Sequence, residues 1–160
     1  MSMADIPETP LGLADTWNVN NRVNLRLLDA LGDEQLGAVI LPRGKAVTSY
    51  FAHIHMSRFY WLERRARALA KSLKKVGAGE ATRANLRAAL LDSGKAMAQL
   101  FSEAEHSGQI KGTRLGPIAF LGYTLAHEAH HRGQILLHLK LAKLPLDRAV
   151  AYSLWDWKKI

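Results

Sequence analysis

Residues 127 to 134, which read HEAHHRGQ, contain three of the seven histidines of the chain. His127 and His131 are four positions apart, so on a helix their Cβ atoms lie about 5–6 Å from each other on one face. Imidazole nitrogens bind zinc at about 2.0–2.1 Å, and two side chains with this spacing can therefore share one divalent ion. Two ligands make only a weak site, so a third ligand must come from another helix.

The segment FAHIHMSRFYWL, residues 51 to 62, supplies two candidates for that third ligand, His53 and His55. His53 shares its helical stripe with the aromatic side chains of Tyr60 and Trp61, which could form a pocket wall. The pattern favours His53 and leaves His55 as the alternative. Three histidines with an open coordination position are typical of catalytic rather than structural zinc.

Two other interpretations of the same histidines stay open. HEAHH also matches H-E-x-x-H, in which Glu128 would be the general base of a metalloprotease. That motif is short, and a zincin also needs a sheet that holds an extended peptide, for which the sequence has no strand pattern. Alternatively, His127, His130 and His131 could be surface residues or part of a polar layer without metal, next to Glu128 and Arg132.

Helical periodicity predicts the elements that would position these side chains. Four long helical patterns are separated by short breakers, and their approximate bounds are 13–31, 47–76, 80–106 and 117–143. We expect a strand-like or turn element within the connection at 32–46. The tail at 146–160 carries apolar side chains and is expected to pack back onto the body. The sequence thus predicts one all-α domain over residues 1–160, a four-helix bundle with an appended C-terminal segment.

Composition and charge narrow the function classes. The chain has no cysteine, which excludes disulfides and thiolate metal sites. Its amino terminus has no signal-peptide pattern and no segment reaches membrane-spanning length, so we expect a soluble cytoplasmic protein. The net charge of +8 raises the possibility of nucleic-acid binding. However, the densest basic run, at 64–75, reads as the solvated face of a helix and has no interleaved aromatics for base stacking, so nucleic-acid binding is not expected.

The stretch HEAHHRGQI resembles the most recognisable motif of the DinB/YfiT-like superfamily of four-helix-bundle metalloproteins. SYFAHIHMSRFYWL resembles that family's other histidine-bearing segment, and LKLAKLPLDRAVAYSLWDW resembles the stretch that follows the motif. The region of Trp17 and Asn21 fits the family's first helix. The resemblance implies that His53, His127 and His131 bind a divalent metal, such as zinc, nickel or iron, and that the remaining histidine of the motif is not a ligand.

The resemblance also implies a class of activity. Relatives include transferases and an isomerase that use bacillithiol or mycothiol, in which the metal is thought to activate the thiol of a low-molecular-weight cofactor. We therefore expect a metal-dependent thiol S-transferase that acts on a small-molecule substrate. A metal-dependent hydrolase or a non-catalytic metal-binding bundle is the alternative. Candidates for contact with the thiol are Asn21, Arg58, Tyr123 and Gln134, and Glu128 is the candidate base.

A homodimer is the expected assembly. Bundles of this kind commonly pair, and hydrophobic residues make up 48% of the chain, four tryptophans among them.

Overall fold

The computed structural model describes residues 12–160, and the regular elements in that range are all helical. The long helices are α1 (Leu13–Ala30), α3 (Thr48–Arg65), α5 (Arg83–Ser107) and α6 (Pro117–Leu141), and the short ones are α2 (Asp33–Gly37), α4 (Arg67–Ala70) and α7 (Arg148–Ser153). A 3-10 turn, Ala78–Glu80, precedes α5. The predicted all-α four-helix bundle is confirmed. No helix in the described range is both long and apolar enough to cross a membrane.

The long helices begin and end at residues suited to those positions. Pro117 occupies the first turn of α6, where its missing N–H would have no helical acceptor. The Thr82 hydroxyl caps α5 by accepting from the Asn85 amide at 3.3 Å. Gly108 ends α5 with a φ of 71°, in the left-handed region that glycine adopts without strain.

The strand-like or turn element expected in the connection at 32–46 is a turn, in which the Gly44 amide donates to the Leu41 carbonyl oxygen at 2.7 Å. The connection contains no strand, and it also contains the short helix α2, which was not predicted and at whose start the Gln35 side chain accepts from the amide of Gly32 at 2.8 Å. The predicted second helix does not continue to residue 76. It ends at Arg65, because Ala66 adopts a φ of −146° and a ψ of 61°. The basic run that follows therefore does not form one continuous helical face.

The apolar interior consists of two clusters separated by polar side chains, most of them buried. One cluster lies around Phe51, Leu90 and Ile135, and the other around Trp17 and Phe101. Between them lies what we call the polar layer, formed by α1, α3, α5 and α6. Its members are Asn20, Asn21, Asn24, Arg58, Ser93, Glu128 and Arg132.

The C-terminal segment contacts the bundle through α7 and the residues that follow it. Leu154 is buried, Arg26 donates to the Ser153 hydroxyl at 2.9 Å, and Arg22 donates to the Ile160 carbonyl oxygen at 3.0 Å. The expected packing of this segment onto the body is thus confirmed for Leu154. It is wrong for Trp155, of which 82% is exposed.

Candidate metal centre

The structure brings together His53 from α3 with His127 and His131 from α6. Each of the three offers a ring nitrogen, and these atoms all lie within 4.8 Å of one another. The His53 ring centroid is 4.5 Å from that of His131 and 5.5 Å from that of His127. His53 is exposed and the other two are partly exposed, so the cluster opens to solvent on one side.

The spacing within the cluster fits a divalent cation. The Nε2 atoms of His127 and His131 are 3.2 Å apart. Two nitrogens at about 2.05 Å from a tetrahedral cation are separated by about 3.3 Å, so the helix already holds this pair at the distance of two ligands. Three imidazoles leave at least one coordination position for a solvent molecule or a substrate.

A hydrogen bond orients the His131 ring, and burial favours the neutral, metal-binding form of His53 and His127. His131 Nδ1 lies 2.7 Å from the Gln134 side-chain oxygen, which can only accept, so the ring proton is on Nδ1 and the Nε2 lone pair faces the cluster. Burial lowers the pKa of His53 and of His127, and charge on His131 lowers both further. His53 and His127 therefore resist protonation better than free imidazole does.

The other histidines of these segments lie apart from the cluster. His55 is fully buried, and its Nε2 donates to the Lys74 carbonyl oxygen at 2.8 Å. His130 is exposed, with its ring centroid 5.1 Å from that of His131, and it is not a member of the three-histidine group. Between the two candidates on α3, the geometry thus places His53 and not His55 beside the pair on α6.

Glu128, the candidate base, lies in the polar layer instead of at the histidine cluster. Arg58 donates to its carboxylate twice, from Nε to Oε1 at 2.6 Å and from a terminal nitrogen to Oε2 at 2.8 Å. The side-chain amides of Asn20 and Asn24 each donate to Oε2 at 2.6 Å. A fully buried carboxylate with four donors is poorly placed to take a proton from a substrate, so Glu128 fits a structural role.

The four candidates for cofactor contact divide into two groups. Asn21 and Arg58 are buried and bonded to each other at 2.8 Å within the polar layer, where a surface ligand does not reach them. Gln134 contacts His131 directly. Tyr123 is half exposed, and its ring centroid lies 6.5 Å from that of His127. Only the second group borders the candidate metal centre.

Sequence reasoning gave no role here to Arg65 and mentioned Trp61 only as a pocket wall. The Trp61 ring centroid lies 5.1 Å from that of His127 and 5.8 Å from that of Tyr123. Arg65 follows one turn later, with its guanidinium carbon 4.8 Å from the Phe120 ring centroid. Within residues 12–160, Arg65 makes no ion pair, and its buried Nε has no hydrogen-bond partner. The sequence could have indicated this, because residues 53, 57, 61 and 65 are four positions apart and therefore lie on one face of α3.

Comparison with known proteins agrees with this geometry. The family model described as DinB family matches residues 7–143, a range that includes all three histidines of the cluster. No curated protein and no solved structure gives a significant match. The match covers most of the 160 residues, and the structure is a helical bundle with a histidine group that could hold a metal ion. The chain therefore belongs to the DinB family.

Proposed function

We propose that this protein is a metal-dependent transferase that joins a low-molecular-weight thiol to a small electrophile. The observation that supports it most directly is the group of three histidine nitrogens, spaced for a divalent cation and open to solvent. A site with protein ligands on one side and an open position on the other is suited to catalysis. Zinc, nickel and iron all accept imidazole ligands.

The residues at the candidate metal centre would have separate roles in this reaction. His53, His127 and His131 hold the cation, and Gln134 keeps the His131 ring in the orientation and tautomer that binding requires. A bound divalent cation would supply the positive charge that lowers the pKa of a thiol and favours its nucleophilic thiolate form. The apolar faces of Trp61 and Tyr123 beside the cluster would exclude water from one side of the reacting groups.

Arg65 gives this site a preference for anionic thiols. Phe120, on which its guanidinium rests, is seven residues before His127, so Arg65 lies roughly 10 Å along α6 from the cluster. Bacillithiol and glutathione carry carboxylates, and a guanidinium without an ion-pair partner can bind one in a forked pair of hydrogen bonds. Trp61 and Tyr123 lie between the two ends and would contact the middle of the molecule.

A hydrolase that activates water is the alternative, and it would need a base other than Glu128. The carboxylate of Glu128 already accepts hydrogen bonds from Arg58, Asn20 and Asn24. The proposal therefore predicts that thiols, and not ester or amide substrates, are consumed.

The decisive test is a conjugation assay on protein loaded in turn with zinc, nickel or iron. Bacillithiol, mycothiol and glutathione would each be offered with a chromogenic electrophile such as 1-chloro-2,4-dinitrobenzene. We expect turnover with at least one thiol, loss in His131→Ala, and retention in His130→Ala, the neighbouring non-ligand. Arg65→Ala should raise KM for a carboxylate-bearing thiol, bacillithiol or glutathione, about tenfold, while Arg64→Ala should not. Hydrolysis of esters without thiol consumption would refute the proposal.

A further inference from the structure

A second concave site lies on the other side of α6 from the histidines. It is a groove of about 320 Å³ between α1, α6 and the C-terminal segment. Its walls are mostly apolar, and the side chains that form them include Val23, Leu125, Leu136, Leu154, Trp155 and Trp157. The wall formed by α6 includes the small residues Ala126, Ala129 and Gly133, which leave room for a ligand. A volume of this size is within the range of small-molecule sites.

The polar residues that line the groove are Asn20 and Arg132, both members of the polar layer. One terminal nitrogen of Arg132 donates to the side-chain oxygens of Asn20 and Asn24, at 2.9 and 2.8 Å. Within residues 12–160 its other nitrogens have no protein acceptor within hydrogen-bonding distance, and it makes no ion pair. Arg132 therefore has N–H groups available to donate to a ligand at the polar end of an apolar groove.

The charges of the polar layer do not balance. It contains two guanidinium groups, Arg58 and Arg132, and one carboxylate, Glu128, which Arg58 engages with both of its oxygens. Asparagine oxygens solvate Arg132 but do not neutralise it. One positive charge thus remains, partly shielded from water, where a single negative charge would be strongly favoured.

We propose that this groove binds an amphipathic monocarboxylate, with its apolar body along the groove and its carboxylate on Arg132. The apolar walls favour a hydrocarbon chain or ring, and the guanidinium matches a planar carboxylate in a forked pair of hydrogen bonds. The excess of one charge favours a monoanion over a phosphate dianion, which would carry uncompensated charge into an apolar site.

This site is distinct from the candidate metal centre. His127 and His131 face α3, whereas the groove is lined by α1, α6 and the tail. The two sites nevertheless share α6, on which His131 and Arg132 are consecutive. The proposal does not depend on the thiol chemistry proposed above, and its test needs no metal and no turnover.

Decanoate is the probe, titrated into the full-length protein by calorimetry and by tryptophan fluorescence, since Trp155 and Trp157 line the groove. We expect saturable binding of one decanoate per chain with a fluorescence change. Decanol, which has the same chain but no charge, should bind at least tenfold more weakly. Equal affinity for the two would overturn the role of Arg132, and no saturable binding of decanoate would overturn the proposal.

Two matched variants locate the site. A β-carbon at Gly133 or at Gly122 would meet no atom within 4 Å, so leucine at either position is compatible with folding. Both glycines are exposed on nearly the same face of α6, three turns apart, but only Gly133 lines the groove. Gly133→Leu should weaken decanoate binding at least tenfold, and Gly122→Leu should leave it unchanged. Equal effects of the two would refute the assignment.

A second copy of the chain could cover the same groove, and sedimentation distinguishes this outcome. If Gly133→Leu converts a dimer to a monomer while decanoate binds to neither form, the groove is a subunit interface and the proposal is wrong. Unchanged assembly together with lost decanoate affinity supports the proposal.

Discussion

The ion pair between Arg58 and Glu128 should be the most sensitive part of the bundle to a small chemical change. Glu128→Gln keeps the shape of the side chain and removes one negative charge. Four donors that now meet carboxylate oxygens at 2.6–2.8 Å would then share a single amide oxygen, and the new amide group would itself face donors. Two guanidinium groups, Arg58 and Arg132, would be left without a carboxylate in the layer.

The size of the effect follows from burial. Both side chains of the pair are inaccessible to solvent, with a relative accessibility of 0% each. Removal of one partner from such a pair costs about 3–5 kcal/mol, since the other charge stays buried and uncompensated. For a chain of this size, each kcal/mol lowers Tm by about 2–4 °C, so the midpoint should fall by roughly 6–20 °C.

Urea unfolding followed by circular dichroism at 25 °C and pH 7 measures the loss directly. Glu63→Gln, the same change on an exposed position of α3, is the control and should alter the free energy of unfolding by no more than about 0.5 kcal/mol. A loss below about 1 kcal/mol in Glu128→Gln would show that the layer is hydrated or mobile and that the buried-charge reasoning is wrong.

Three further predictions concern the metal, the pH dependence and the assembly. Alanine at His53, His127 or His131 should abolish stoichiometric metal binding measured by elemental analysis of untagged protein, whereas alanine at His55 or His106 should not. Full metal content in the His53 variant together with loss in the His55 variant would show that His55, and not His53, is the ligand on α3. In the metal-free protein, the lowered pKa values of His53 and His127 mean that the unfolded state takes up protons first as pH falls below the usual 6.5. The free energy of unfolding should therefore decrease as pH falls through that range. Urea titrations at successive pH values should show a smaller decrease in a His53→Gln/His127→Gln variant, and the same dependence on pH in the variant and the parent protein would contradict the assignment. Sedimentation equilibrium should give a homodimer, and a mass near 17.8 kDa at micromolar concentrations would exclude it.

The parts of the fold that local rules govern could be predicted from the sequence. His127 and His131 share a face because of their spacing alone, and Pro117 marks the start of their helix because it has no N–H to bond. The end of α3 could not be predicted in this way. Ala66 is a strong helix former, and its extended φ is set by tertiary packing, which brings Ala70 and Leu73 back into the core.

The roles of charged side chains were the least predictable from sequence. Arg58 and Glu128 are 70 positions apart, so nothing local indicates that they pair. Arg65 belongs to a basic run that reads as a solvated helix face, yet the structure places it over Phe120. The choice of His53 over His55 could be made from the sequence, because residues two positions apart on a helix point to different sides. The stripe of His53 carries Tyr60 and Trp61, which suit a pocket wall, whereas the stripe of His55 carries Phe51 and Phe59, which are buried in the core.

The close contact between Asn21 and Gly94 has a consequence for how the helices align. A β-carbon at Gly94 would overlap the Asn21 amide, so α1 and α5 can approach here only where this glycine meets this asparagine. Leucine-rich helices can slide past one another by a turn, about 5.4 Å, with modest loss of apolar contact. Here such a slip of α1 would separate Asn21 from Gly94 and also from Arg58, so the buried guanidinium would lose one of its acceptors. The polar layer thus fixes the positions of the helices along the bundle axis. Its ion pair between Arg58 and Glu128 joins the two helices that carry the histidines, so it also holds His53 level with His127 and His131.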